Sequence, residues 1–577
     1  MKEFYTKNKI ILMSLMCALT LLCILIHPLT THASNTIIDS GDCSSWDPTD
    51  NVQWELYDTD GDSKGDKLVI SGTGRMKDYD SPCYDYAPWS SYKDTIKTVI
   101  VNDGVISVGD WAFSGCDITI ISLPSGITSI GNGAFYHCYY LTLTELPSGL
   151  ISIGDHAFQS CDSLALKELP SGITSIGEYA FYGCYNLALT KLPSGITTIR
   201  EGVFRSCPKL VLKELPSGLT SIDYCAFYNC TKLALTKLPS GVTSIGASAF
   251  NNCRSLALTS LPSGLTYIGG HAFYNCRNIT LKSLPSEITE IYWCTFYDCR
   301  KLALTSLPSE LTTIGDSAFS GCKRLALTSF PSELTSIGRY AFSGCNNLTS
   351  ISLPSGLTSI GRNAFSECKK LTSVSLPSRL TSLKTSTFRG CKKLTSVSLP
   401  SKLTSIGKRA FGGCKNLTLK SLPSKLTSIG DFAFYGCRKL ALKSLPSGIT
   451  SIEDFTFAGC TNLALTSLPS GVTSIRNSAF KYCTNLALTS LPTKLTYIDG
   501  YAFYGCKKLA LTSLPTKLTD IKAYTFYGCE NLALTSLPSK LKYISYKAFY
   551  GCKNLALKSL PSKSTYIEDS AFTGCNV

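Results

Sequence analysis

The chain has 577 residues, of which 44% are apolar and 16% charged, with a formal net charge of +15. The apolar share suffices for a long core and excludes a disordered polycation; the basic excess is modest and sits on a Ser/Thr-rich surface. Length alone would suggest several domains, but most of the chain is one unit repeated.

At the N-terminus, Lys2, Lys7 and Lys9 precede or open an uncharged stretch, Ile10 to Ile26, and Thr31-His32-Ala33 offers a small-residue cleavage site before Ser34. Residues 1–33 read as an export signal. The apolar run is long for a signal, so an uncleaved membrane anchor is the alternative, and it is the only membrane contact expected.

Residues 34–100 differ in composition from the rest of the chain. They carry Trp46, Trp54, Trp89, Cys43, Cys83 and the acidic stretch Asp58 to Asp66. This segment reads as a small β-rich module that covers the first open edge of the repeat array. Cys43 and Cys83 form a candidate disulfide, as suits an exported module. Asp58-Thr59-Asp60-Gly61-Asp62 looks like a calcium loop, but Ser63 stands where an EF-hand needs Gly and Val69 where it needs a bidentate Glu. The preferred reading is a polar turn between strands at Trp54–Leu56 and Leu68–Ile70. No metal or cofactor is assigned.

From about residue 101 to the C-terminus the chain repeats itself. Leu-Pro recurs every 23 residues from Leu123 to Leu560, with Phe330 once replacing the leucine. A Phe recurs in step from Phe113 to Phe572, and a Cys three residues after it, from Cys116 to Cys575. One clean unit, Leu302 to Arg324, reads LALTSLPSELTTIGDSAFSGCKR. Leu302, Leu304 and Leu307 predict a short strand ending at Pro308, which lacks an N–H. Leu311 and Ile314 predict a second inward pair, Gly315 a positive φ, and Ala318, Phe319 and Cys322 a single helical or 3-10 turn with Phe319 buried. No unit buries this many apolar groups alone, so stacked units share one core. About twenty units at a strand spacing of ~4.8 Å give a rod or arc on the order of 100 Å long. No module like that of residues 34–100 follows the array.

The Ile-Gly-x-x-Ala-Phe-x-x-Cys pattern at Ile130 to Cys138, followed by Leu and Leu-Pro-Ser, resembles the BspA-like leucine-rich repeats, also called the Treponema pallidum type. Leu68 to Gly74, Pro88-Trp89 and Val105 to Gly109 resemble the module that precedes repeats in that family. The resemblance implies a leucine-rich-repeat solenoid, an α/β repeat superhelix of parallel short strands with one helical or 3-10 turn per 23-residue unit and a β-rich N-terminal cap. It also implies a secreted or cell-surface location and an adhesin that contacts host matrix proteins, host cells or other bacteria through repeated weak contacts. The alternative is a structural component of a surface layer or biofilm with no specific ligand. There is one departure. The family strand reads LxxLxL, as at Leu348 to Leu353, Leu371 to Leu376 and Leu394 to Leu399, whereas most units here read LxLxxL. Because one step crosses the pleat, the majority units are expected to have a shifted strand or bulge.

The side chains give catalysis little support. The segment after residue 33 has three histidines, His137, His156 and His271, and none forms a recognisable triad with Ser or Cys. An active site also needs one special place, which a repeated unit does not offer. The 21 in-register cysteines lie too far apart in sequence for metal ligation. They read as small buried apolar residues rather than disulfides, since stacked side chains point the same way. The basic residues are more informative. After the repeat Cys come Arg254, Arg277, Arg300, Lys301, Lys323, Arg324, Lys369, Lys370, Lys392, Lys393, Lys415, Arg438, Lys439, Lys507, Lys508 and Lys553. Equivalent positions of a solenoid stack into lines, so these residues predict basic ridges in the C-terminal half. The ridges read either as a solubilising flank or as an edge for a polyanion, meaning a protein or a polyanionic glycan at a cell surface. Nucleic acid is not expected outside the cell. Tyr136, Tyr182, Tyr228, Tyr274, Tyr297, Tyr435, Tyr504, Tyr527 and Tyr550 predict a second line, suited to protein or sugar contacts.

Overall fold

The computed structural model describes residues 35–80, 86–559 and 566–576. The export segment at 1–33 and Cys83 of the candidate disulfide lie outside the described residues.

Three strands open the described chain: β1 (Thr36–Asp42), β2 (Asn51–Asp58) and β3 (Lys67–Arg75), paired antiparallel in that order. Strand β2 alternates, with Val52, Trp54, Leu56 and Asp58 turned inward, the period of a half-buried strand. Strand β3 then pairs in parallel with β4 (Thr98–Val101) and, at its far end, with β5 (Val105–Val108). Strand β4 in turn pairs with β6 (Ile120–Ser122). The antiparallel meander therefore hands its last strand directly to the parallel array. A tryptophan completes the junction. Trp89 is fully buried, stacks on Phe113 at 5.6 Å and donates from Nε1 to the Ala112 carbonyl at 2.8 Å. It occupies the place that a Phe holds in every later turn.

Beyond β6 the chain coils as a parallel solenoid with one 23-residue unit per turn. In the unit 302–324, Leu302, Leu304, Leu311, Ile314, Ala318, Phe319 and Cys322 are all buried. Phe319 lies between Phe296 and Phe342, at 5.5 and 5.4 Å, with rings nearly parallel. Turns are also joined by the backbone, in opposite senses on two sides. Near the strand, Thr312 and Gly315 donate back to Thr289 and Ile291 of the preceding turn at 2.9 and 2.7 Å. Near the Phe, Ser317, Phe319 and Gly321 donate forward to Arg339, Ala341 and Ser343 at 2.6, 2.8 and 2.8 Å. The Thr312 hydroxyl also reaches the Thr289 carbonyl at 3.1 Å.

Two local expectations are corrected, and a third, the turn at the Phe, is borne out and narrowed to its 3-10 form. First, in the majority units the strand does not lie in Leu302–Leu307; it is the two-residue Thr313–Ile314, paired with Glu290–Ile291 and Ser336–Ile337. A three-residue strand forms in the Leu-Pro-proximal stretch only where the spacing is LxxLxL: Ser350–Ser352, Ser373–Ser375 and Ser396–Ser398, each centred on a buried Ile351, Val374 or Val397. Strand β6 obeys the same rule, with Ile118, Ile121 and Leu123 at that spacing. With LxLxxL, the pair Thr305-Ser306 faces outward together. The pleat is then out of phase, and only irregular bonds to the preceding turn remain, Ala303 N to Leu281 O at 3.2 Å and Thr305 N to Lys282 O at 3.3 Å, without a regular strand.

Second, Gly315 does not have a positive φ. A Cβ there would meet the Trp293 backbone N of the previous turn at 2.7 Å, so close approach is what favours glycine. Third, the turn around Phe319 has the i+3→i bonds of a 3-10 turn, Cys322 N to Phe319 O at 3.1 Å among them. Left-handed residues at Ser317 (φ 56) and Gly321 (φ 78) keep it from continuing as a helix. Among the described residues Ser90–Tyr92 is the one 3-10 helix, and no helix is long and apolar enough to cross a membrane.

Replacing Phe319 with Ala removes two stacking faces and opens a cavity, and is expected to cost about 3–5 kcal/mol, expressed locally because each turn leans on its neighbours. Ser320→Ala, at an adjacent and more accessible position, should be nearly silent. Denaturant unfolding and hydrogen exchange of the flanking turns distinguish the two; equal losses would show that the ring column does not carry the fold.

Candidate binding surface

Every position of the unit repeats on the next turn, so the surface is organised as lines running along the rod. The basic line follows the repeat cysteines. Of its residues, Arg254, Arg300, Lys301, Lys323, Arg324, Lys369, Lys370, Lys392, Lys393, Arg438, Lys439, Lys507 and Lys508 are exposed, and Arg277 is half-buried. The backbone holds neighbours in register, as Lys439 N donates to the Lys415 carbonyl at 3.2 Å.

The line is not uniform. Arg277 and Arg300 both pair with Asp298, at 3.2 and 2.9 Å, and Lys507 pairs with Glu530 at 3.0 Å. Such exposed pairs are screened and weak, yet they cancel charge. Between them, Lys369, Lys370, Lys392, Lys393, Lys415, Arg438 and Lys439 occupy four consecutive turns with no carboxylate in ion-pair range among the described residues. Arg254, Lys301, Lys323, Arg324 and Lys508 are likewise unpaired among the described residues, so these seven form the longest such run on the line rather than an even spread over its C-terminal half.

The tyrosine line becomes a stack wherever its members are adjacent. Tyr274 and Tyr297 lie at 4.7 Å, Tyr504 and Tyr527 at 4.6 Å, Tyr527 and Tyr550 at 4.8 Å. A second aromatic line, two residues before the Phe, is not evident from sequence: Tyr501 and Tyr524 stack at 4.7 Å, Phe432 and Phe455 at 4.6 Å. Its signal is aromatic residues at one fixed offset, but that offset is the left-handed position, where large residues are not expected. In these stacks the ring faces cover one another, so the rows present mainly edges and hydroxyls.

Three other groups of side chains have chemical potential. Asp58, Asp60 and Asp62 bring carboxylate oxygens within 4.8 Å of one another. The buried Asp58 carboxylate accepts the backbone N–H groups of Asp60, Gly61 and Ser63 at 3.2, 2.7 and 2.9 Å, which closes the turn expected there. Cys43 is buried, and its thiol is pushed up to about 12, chiefly by desolvation. The ladder cysteines are free thiols with a shared task beyond filling space. The Phe296 carbonyl, for example, accepts the Cys299 N–H at 3.2 Å and the Cys322 thiol of the next turn at 3.0 Å. The thiol thus satisfies the second lone pair of a buried carbonyl.

Cavities are shallow. One of about 460 Å³ lies at the N-terminal junction, lined by Lys93, Trp111, Tyr136 and His137. Another, of about 450 Å³, opens at Gly412 beside Arg389, Arg409, Phe432 and Tyr435.

The array has relatives among known proteins. The model of the BspA type leucine-rich repeat region matches residues 90–211, 206–326, 312–441, 382–509 and 473–577. A search of the curated proteins finds no significant match. Among solved structures, a leucine-rich repeat protein from Bacteroides ovatus is 24% identical over 65% of this chain and 95% of its own, with a TM-score of 0.44. A leucine rich cell surface protein from Faecalibacterium prausnitzii is 23% identical over 68% and 92%, with a TM-score of 0.29. A T. pallidum leucine-rich repeat protein is 29% identical over 31% and 76%, with a TM-score of 0.25.

The ladder thiols also set a pH response. Burial drives them up, to about 12 at Cys116 and Cys230 and further in the interior. An unfolded thiol ionises near pH ~8.5, so above that pH the folded chain holds more protons than the unfolded one. Stability is then full below about pH 8.5 and falls as pH rises through that range towards the folded values. Denaturation midpoints should decline progressively above that point, and Ala at Cys299, Cys322 and Cys345 should flatten the decline. An unchanged decline in that variant would assign the effect to other groups.

Proposed function

Because the chain belongs to the BspA type leucine-rich repeat family, we propose that it is a non-enzymatic adhesin, secreted or held at the cell surface, that engages an anionic partner through its basic ridge. The observation that carries this reading is the run of seven cations from Lys369 to Lys439, exposed on four consecutive turns and unpaired among the described residues. A single exposed cation contributes little, because water and salt screen it. Cations at a fixed spacing meet a repeating anionic chain at many points at once, and linked weak contacts multiply. An array of near-identical turns suits that mode of binding better than it suits catalysis, which needs one distinct pocket. The cell-surface description of the F. prausnitzii protein is consistent with the proposed location.

The test uses the full chain with Lys369, Lys370, Lys392, Lys393, Arg438 and Lys439 replaced by Asn. Asn346-Asn347 and Thr461-Asn462 stand at equivalent positions, so the fold should accept the change. With each contact contributing ~0.2–1 kcal/mol, affinity for immobilised heparin should fall by roughly tenfold or more. The dependence of affinity on salt should flatten as well. Equal retention of the two proteins, with the same salt response, would reduce the ridge to a solubilising flank.

A further inference from the structure

Gly412 is the one glycine among the 21 residues that directly follow the repeat Phe. Elsewhere that line carries side chains such as Tyr504, Tyr527, Arg389 or Ser320. Its absence of a side chain leaves the notch of about 450 Å³, floored by buried Gly412 and its neighbour Gly413. Four cations surround the opening: Arg389 and Arg409, both exposed, and Lys392 and Lys415 from the basic ridge. None of the four forms an ion pair among the described residues. Glu367 supplies one carboxylate at the rim.

The aromatic wall is unlike the stacks elsewhere. Phe432 has both faces occupied, by the Arg409 guanidinium at 4.8 Å and by Phe455 at 4.6 Å. Tyr435 does not. Its neighbours along the line are Gly412 and Ala458, its ring meets Phe432 only at a tilt, at 5.8 Å, and the residue is 49% exposed. It is a tyrosine with an open face next to a pocket ringed by positive charge.

We propose that this notch binds one anionic sugar residue of a glycan chain, such as a uronate or a sulfated hexose. The reading rests on the ridge function proposed above and names the chemistry of its ligand. A sugar ring has an apolar C–H face for Tyr435, a carboxylate or sulfate for the two guanidinium forks, and hydroxyls that donate to Glu367. Because Lys392 and Lys415 belong to both notch and ridge, a glycan lying along the ridge would pass over the notch. A ring-free polyanion would use the cations and leave the aromatic face empty.

Two substitutions taken from the chain's own repeats test this. Gly412→Tyr fills the notch with the residue found at 504, 527 and 550; a Cβ at Gly412 comes no nearer than 3.3 Å to the Phe432 carbonyl oxygen. Tyr435→Ser removes the open face and matches Ser320 and Ser343. Neither changes a charge. Titration calorimetry on the full chain compares a heparin-derived hexasaccharide with a polyphosphate. Both variants should bind the hexasaccharide roughly tenfold more weakly and keep polyphosphate affinity within about twofold. Loss in one variant or in neither overturns the proposal, as does a parallel fall for polyphosphate. Retention of the unsubstituted chain on long heparin separates the two readings. If it is retained while the variants keep full hexasaccharide affinity, the notch fails and the ridge stands. If it is not retained, the ridge reading itself fails and takes the notch with it.

Discussion

The column of phenylalanines governs the rest of this molecule. From Phe113 to Phe572 each ring lies on the next at 5.2 to 5.7 Å, with interplanar angles of no more than 13°. A stack this regular admits no slip: if one turn advanced by a residue, its ring would leave the column and open a cavity of the kind that costs several kcal/mol. The backbone bonds on either side of the column are only as regular as the column allows. So are the cysteines, whose thiols reach the carbonyl of the preceding turn's Phe only when the turns are in register. Trp89 extends the column by one place and gives the first turn a surface to lie on.

That register explains what could be read from the sequence alone. A strict period of 23 with a bulky aromatic at one place allows few architectures, and the buried set Leu302, Leu304, Leu311, Ile314 and Phe319 follows from it. What could not be read was the path of the backbone between those anchors. Leucine spacing alone does not tell which inward segment keeps its pleat. The answer lies in phase: LxxLxL leaves a single inward residue between two outward ones, as at Val374, whereas LxLxxL puts two outward residues side by side. The left-handed positions were also hidden. Residues as different as Trp111, Arg409, Phe432 and Ser317 occupy one of them, so residue type carries no signal there. The conformation is imposed by the stacked turns, which hold the N–H of each such residue on the carbonyl of the next turn, at a cost of about 1 kcal/mol or more for a residue with a Cβ.

The surface obeys a different logic from the core. Core positions are constrained on every turn, so they repeat; surface positions are free to drift, and drift along a fixed line becomes a gradient along the rod. The line before the cysteines shows this within three steps. Asn229, Asn252 and Asn275 pass an amide hydrogen bond from turn to turn at 2.5 and 2.7 Å, and Asp298 then ends the series by taking Arg277 and Arg300. The sequence shows each of these residues but not the consequence. Basic positions up to Arg300 are partly cancelled, while those from Lys369 to Lys439 are not.

A repeated scaffold must break its own pattern to make a distinct place. It cannot do so in the core, where the column penalises any change. It can do so on a surface line by omitting a side chain, because the neighbours above and below are held in place by the column and will not close over the gap. Gly412 is such an omission, and Tyr435 and Arg389 keep their stations on either side of it. Neighbouring turns can therefore carry a cation, an aromatic face and an empty step without repacking anything beneath them. The rigidity that makes most of the rod monotonous is also what keeps one notch open.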